Sequence, residues 1–411
     1  MQRRIGSSRP AFGRRSFLVG GGVALLSVAA CGSSTGAGAG KLKIGASLPL
    51  TGQGADAADM GYKGYQVWQK VVNDAGGLLG RQVELTILDD GFDQNTVVAN
   101  YNRLISQERV DLLIGTFSSF LNLPASAIAE RHGMVYIEPS GGANEIFERG
   151  LKRLFFSQPG TTETSHEIFS EFVESLPAAD RPATAAYLNQ DDPSTDLPVQ
   201  NFQKRLAKAG IRTVYGQKYP PDTTNFDAIA NSIRQAAPDL LIHGALETDG
   251  YGLVQSLQKV GFTPRMLYQT RAPTSTDTYP EAIGKANTEG IFTFGAWHPA
   301  ARYPGNAEFV KAFTAQFTES PAEDAANSYT AVQVLQAGVE AVGKIDQDAI
   351  AKWLHANTVD TIVGPLTWDA RGVPDGAPLL MQWQKGTLEV VGPPQAATVD
   401  AAVLAKPAWT A

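Results

Sequence analysis

Val110-Asp-Leu-Leu-Ile-Gly115 and Pro238-Asp-Leu-Leu-Ile-His-Gly244 repeat one short text 128 residues apart. Each reads as a strand buried on both faces, as in parallel sheets, and each runs into a polar turn. The turn is Thr116-Phe-Ser-Ser119 after the first copy and Leu246-Glu-Thr248 after the second. Leu-rich strands resemble one another, so the echo takes its weight from its surroundings. Before the first copy, Leu42, Ile44, Ala46 and Leu48 alternate along a strand that ends at Leu50-Thr51-Gly52. Gly64, Tyr65, Trp68, Val71 and Val72 then recur at helical spacing as far as Gly76-Gly77. Val83, Leu85 and Ile87 predict the next strand, and a helix over 95–108 leads into the quoted text. A helix over 123–132 and a strand over 134–138 complete the series.

The pattern restarts with an apolar stripe, Ile168, Phe169, Phe172, Val173 and Leu176. Strands are expected at 184–188, 212–215, 239–243 and 266–268, with helices over 199–209, 226–236 and 250–260 between them. More helices follow at 304–317, 322–342 and 346–356, then a strand pair at 379–384 and 388–391. Strict strand–helix alternation means α/β architecture with parallel sheets, and the restart means two lobes of the same kind. The end, rich in Ala and Pro, reads as a poorly ordered tail over 396–411.

The 411 residues carry 34 basic and 41 acidic side chains, a net charge of −7 that argues against nucleic acid as a partner. Residues 1–30 hold five arginines and no acid, leaving 29 basic against 41 acidic residues in the rest. Arg14-Arg15-Ser16-Phe17-Leu18 and the apolar run to Ala30 predict a signal peptide of twin-arginine type, too short to span a bilayer. Val28-Ala29-Ala30-Cys31 resembles a lipobox, which makes Cys31, the one cysteine, the expected site of lipidation and membrane anchorage. Gly32–Gly40 reads as a flexible linker; its Gly32-Ser-Ser-Thr-Gly36 fits a nucleophile elbow in letters only, lacking a strand before and a helix after.

The five histidines are scattered, without metal-ligand spacing, and read as surface or capping residues; no P-loop is present. No catalytic residue, metal or cofactor is expected. What remains is a set of turns at the carboxyl ends of strands, where open α/β sheets bind ligands. Phe117, Ser118 and Ser119 offer hydroxyls and helix-start amides to an anionic oxygen. Ser140, Gly141 and Gly142 let backbone approach a ligand closely, and Leu246 with Glu247 forms the matching turn of the second half. Any one alone is an ordinary capped turn; three facing one cleft make a site.

Gly45–Gly52, Asn73–Gly80 (NDAGGLLG), Asp89-Asp90, Ile114–Ser126 and above all Val359–Asp369 (VDTIVGPLTWD) resemble the leucine/isoleucine/valine-binding-protein family. These are the type I solute-binding proteins of ABC importers, and the likeness covers about 41–391. The resemblance implies two doubly wound Rossmann-like lobes joined by a three-crossing hinge that closes on a small ligand. Lobe I would be 41–157 with 297–375, and lobe II 158–296 with 376–395. It implies Ser119 on the ligand carboxylate and Ser140 as a backbone contact. At Gly142 a family Thr loses its hydroxyl, and at Ala57 an aromatic wall is missing. Family Tyr positions fall on Pro193 and Leu246, the acid that pairs with the ligand ammonium falls on Thr270, and an apolar contact falls on Asp324. A buried ammonium without a carboxylate would cost on the order of several kcal/mol. Either Asp191, Asp192, Glu247 or Asp324 supplies the charge, or the ligand is another carboxylate or an amide. Arg271 suits an acidic ligand or a surface ion pair, and Glu138 reads as a solvated strand-end carboxylate. The partners implied are the small ligand, ABC permease subunits and the membrane, with the chain a monomer. A sensor feeding a signalling receptor and a secreted hydrolase stand as alternatives.

Overall fold

The computed structural model describes residues 40–410, apart from the side chains of Pro193 and Ser194. The expected signal peptide, Cys31 and nearly all of the linker lie outside the described residues. The first series runs β1 (Leu42–Leu48), α1 (Ala55–Asp74), β2 (Val83–Asp89), α2 (Gln94–Ser106), β3 (Leu112–Ile114), α3 (Ser118–Arg131), β4 (Tyr136–Glu138) and β5 (Leu154–Phe156). The second runs α4 (Glu167–Ser175), β6 (Thr184–Gln190), α5 (Pro193–Lys208), β7 (Arg212–Tyr219), α6 (Asp227–Ala236), β8 (Leu240–Gly244) and α7 (Thr248–Val260). It continues through β9 (Met266–Gln269), α8 (Thr278–Ile283) and β10 (Ile291–Gly295). Then come α9 (Asn306–Phe317), α10 (Glu323–Val342) and α11 (Gln347–Leu354). Short strands β11 (Val359–Thr361), β12 (Gly364–Trp368) and β13 (Pro374–Asp375) precede β14 (Leu379–Gln384) and β15 (Thr387–Gly392).

The first sheet is ordered β2-β1-β3-β4-β5, all parallel. The second repeats that order as β7-β6-β8-β9-β10 and then adds β14, antiparallel to β10, and β15, antiparallel to β14. The two copies of Asp-Leu-Leu-Ile therefore occupy the same place, the third strand of each parallel array. Their aspartates also do the same work. Asp111 Oδ2 accepts the Lys43 N–H at 2.9 Å, and Asp239 Oδ2 accepts Ala183 N–H at 2.8 Å and Thr184 N–H at 3.1 Å. Each carboxylate thus ties the entry of the third strand to the entry of the first.

Side chains of β3 leave both faces: Leu112 and Ile114 join the core shared with α1 and α10, and Leu113 the core under α2 and α3. Helix α10 lies close on α1 because Gly64 has no side chain; a Cβ there would stand 2.2 Å from the Ala325 carbonyl oxygen. Helix α3 starts at Ser118, five residues before the sequence expectation, and runs through Pro124. Proline frees the carbonyl four residues back, and Gln94 Nε2 takes that Phe120 oxygen at 2.7 Å.

The chain passes between the lobes three times: over 157–166, 296–305 and 376–378, between the bounds of β5 and α4, β10 and α9, and β13 and β14. The Val359–Asp369 block supports the first passage, for Trp368 Nε1 donates to the Phe156 carbonyl at 2.7 Å.

The segment after β15 corrects the expectation of a poorly ordered tail. Lys406 N–H donates to Arg265 O at 2.8 Å, its Nζ donates to the carbonyls of Asn287 and Glu289, and Trp409 Nε1 donates to Phe262 O. Composition showed Ala and Pro, whereas these few polar anchors fix the segment to lobe II. No helix among the described residues is long and apolar enough to cross a membrane.

Candidate ligand-binding cleft

On lobe I the turns after β3 and β4 are fastened by one buried side chain, Asn122 of α3. Its Oδ1 accepts Thr116 N–H at 3.1 Å and the Tyr136 hydroxyl at 2.6 Å. Its Nδ2 donates to the carbonyls of Thr116 and Ser118, both at 3.0 Å, and of Ser140 at 2.6 Å. Ser118 is held at φ 68°, a left-handed backbone rare outside glycine. Its Oγ is buried with no hydrogen-bond partner among the described residues. Gly141 sits at φ 103°, and a Cβ there would lie 2.2 Å from Ser119 N, so only glycine lets the two turns touch. Ser119 Oγ accepts Ala143 N–H at 3.2 Å.

On lobe II the equivalent turns are fastened from the end of β9 and from the first turn of α7. Thr270 Oγ1 accepts Ala245 N–H at 2.9 Å and donates to Ala245 O at 2.5 Å. Asp249 Oδ1 accepts Leu246 N–H at 3.0 Å. Beneath these turns His243, expected as a surface or capping residue, is fully buried between Tyr219 Oη at 2.8 Å and Gln269 Nε2 at 2.9 Å. His166 is also buried, 2.9 Å from Tyr268 Oη through Nδ1, and its ring lies 3.9 Å from that of Phe294. His166 does stand at the N-cap of α4, but the adjacent aromatic rings and hydroxyls keep both histidines from the surface.

Between the lobes opens a cleft of about 750 Å³, bounded on lobe II by His166, Thr270 and Arg271 and on the other side by Trp297, Glu323 and Asp324. Asp324 also borders a small crevice in lobe I with Phe117, Ser140 and Ser328. Glu323 borders a further crevice of about 140 Å³ where residues of all three crossings meet, among them Pro159, Ala296 and Pro378. A separate depression of about 550 Å³ between α4 and α5 is lined by Glu167, Glu174, Lys204 and Arg205. Arg205 is already paired there with three glutamates, so the depression offers it no free charge.

The charges in the cleft are perturbed in opposite directions. Glu323 is open to cleft water at its mouth, yet protein crowds its carboxylate elsewhere, and burial with the neighbouring Asp324 raises it to about 7. The N–H groups of Ala296 and Trp297 and the charge of Arg271 work against that rise. Burial raises Asp324 to about 6, opposed by Arg271. Burial pushes His166 down to about 3, with Arg271 adding to the effect.

Of the residues expected in the site, Thr270 faces the cleft, and Phe117 and Ser140 face the crevice that Asp324 joins to it. Gly142 borders the hinge crevice and accepts Thr162 N–H at 2.9 Å. Asp191 is exposed, 3.9 Å from Lys218 Nζ, and Glu247 is exposed at the start of α7; neither borders the cleft. Glu138 is fully buried rather than solvated, its carboxylate lacks a hydrogen-bond partner among the described residues, and burial holds it well above the usual range. It follows Ile137 on a strand whose neighbours cover it on both sides.

The profile of the periplasmic binding protein family matches residues 41–387. The chain belongs to the periplasmic binding protein family. The Leu/Ile/Val-binding protein homolog 7 of Brucella suis is 25% identical over 385 residues, 90% of this chain and 96% of that protein. A substrate-binding protein of an ABC transporter from Desulfitobacterium hafniense, solved with Leu, superposes with a TM-score of 0.69 at 19% identity, covering 85% of this chain and 100% of that one. A solute-binding protein of an ABC transporter from R. palustris, solved with benzoate, superposes at 0.64 with 21% identity, covering 90% and 100%. This periplasmic binding protein has cleft residues that sequence reasoning missed: His166, Trp297 and Glu323. Glu323 opens a helix that was legible, but only the path of the second crossing places that helix start at the cleft.

Proposed function

We infer that this protein is an extracytoplasmic solute receptor of a branched-chain-amino-acid-type ABC transporter. It captures a small amino acid, or a related carboxylate or amide, and hands it to permease subunits. No reaction is performed. In the cell it is exported, anchored through a lipid on Cys31, and monomeric, with the lobe limits set out above. Capture begins on lobe I at Ser119 and Ser140, and hinge closure brings in Thr270 and Arg271 of lobe II. Closure excludes water and so strengthens each polar contact to the ligand.

The observation that supports this best is the layout of charge across the cleft. Asp324 on one wall and Arg271 on the other form no ion pair within 4 Å, while both border the same space. Asp324 suits a ligand ammonium, replacing the acid that Thr270 lacks, and Arg271 suits an anionic group. A thermal-shift screen with L-leucine, 4-methylpentanoate, 3-methylbutylamine, benzoate, dicarboxylates and amides tests the reading. At 100 times its dissociation constant a true ligand should stabilise the protein by about 2.7 kcal/mol. No response across the panel, or turnover of ester or amide substrates by the purified protein, would overturn it.

A further inference from the structure

Three cavities meet at two adjacent residues. Asp324 joins the lobe I crevice to the cleft, and Glu323 joins the cleft to the crevice among the crossings. Glu323 Oε2 accepts the Ala296 N–H at 3.0 Å, so a side chain of α10 holds the backbone of the second crossing one residue after β10 ends. The approach is close: a Cβ on Gly295 would stand 3.1 Å from that oxygen and 2.7 Å from Met381, so a side chain there would push the contact apart. Among the described residues Glu323 forms no ion pair within 4 Å, so its charge answers to the groups around the cleft. Those groups are Asp324 beside it on α10, Arg271 after β9, and His166 and His298, which border the same space.

We propose that Glu323 is a positioning residue through which charge in the cleft sets the firmness of the hinge. Ionised, it is a strong acceptor and clamps the second crossing; protonated, it holds the Ala296 N–H weakly and the crossing loosens. A positive group near Asp324 favours the ionised form, whereas a lone negative group favours the protonated one. Ligand charge is thereby read at the hinge as well as at the pocket wall. This inference rests on the cleft being the ligand chamber, but its test runs on ligand-free protein, so the two can fail separately.

The measurement is the hydrogen-exchange protection of the Ala296 amide, corrected for intrinsic rate, between pH 5 and 8. In the unaltered protein protection should rise about ten-fold or more with pH through the titration of Glu323. Glu323→Gln keeps a neutral acceptor of the same shape and should give protection that no longer changes with pH. Asp324→Asn should move the midpoint of the rise to lower pH, and Arg271→Gln should move it to higher pH. Protection independent of pH in the unaltered protein, or retained pH dependence in Glu323→Gln, would overturn the clamp. Midpoints unmoved by both charge variants would overturn its coupling to the cleft. A loss of all protection in Glu323→Gln, with the global melt unchanged, would show a packing role and overturn the charge-reading one.

Discussion

Lobe I and lobe II share a strand order and even an aspartate at the same strand entry, yet they hold their cleft turns in different ways. On lobe I a helix side chain, Asn122, reaches under both turns and makes five hydrogen bonds to them and to Tyr136. On lobe II a strand-end hydroxyl, that of Thr270, fastens one turn, and the next residue, Arg271, is left facing the cleft. The β4 and β9 turns are topological equivalents, so Pro139-Ser140 and Thr270-Arg271 are one position filled twice. Lobe I spends it on neutral amides and hydroxyls locked in place, while lobe II spends it on a charge. A common fold therefore fixes where a ligand can sit and leaves the chemistry of each wall to a few residues.

The comparison can be broken first at Asn122. Asn122→Ala should cost about 3–4 kcal/mol by urea unfolding, because it strips a buried network and leaves several groups unpaired. Ligand response should vanish with it, since both lobe I turns lose their fixture. A loss below about 1 kcal/mol would mean that Gly141 and the backbone alone hold the turns. Ser119→Ala should weaken ligand binding by about 1–3 kcal/mol in calorimetry, and unchanged affinity would remove Ser119 from the site. Thr270→Val preserves volume and removes two hydrogen bonds, so it should lower stability by about 1–2 kcal/mol, less than the Asn122 change. An equal or larger loss would reverse the ranking of the two lobes.

The last prediction concerns pH dependence, and its sign is definite. Glu323 and Asp324 have folded values of about 7 and about 6, above the usual carboxylate range. The folded state therefore holds protons that the unfolded state has released, and the contribution of these groups to stability falls as pH rises from 5 to 8. His166 and His243, lowered to about 3 and about 4, act oppositely: as pH falls below 6.5 the unfolded state gains protons that the folded state refuses. Urea midpoints of the unaltered protein and of Glu323→Gln/Asp324→Asn should thus diverge as pH rises, the variant becoming the more stable. A constant difference from pH 5 to 8 would show that the two acids do not titrate there.

Much of the fold was legible because it is written in local periods. Leu42, Ile44, Ala46 and Leu48 alternate as a strand must, and the two Asp-Leu-Leu-Ile copies marked strands that fill equal places. Helix α3 was less legible, for Pro124 looks like a first turn until Gln94 is seen to satisfy the carbonyl it frees. The tail was misread because its anchors, Lys406 and Trp409, reach partners over 100 residues away.

The site divides along the same line. From sequence came the turns that contain Ser119, Ser140 and Leu246, since a strand's carboxyl end is known once the strand is known. That Asn122 binds two turns, that Glu323 grips Ala296 and that Asp324 stands opposite Arg271 came only from the fold. Periodicity is a property of neighbours in the chain and survives in the letters. The meeting of α10 with the second crossing depends on three passages between two lobes, and no local pattern records where those passages converge.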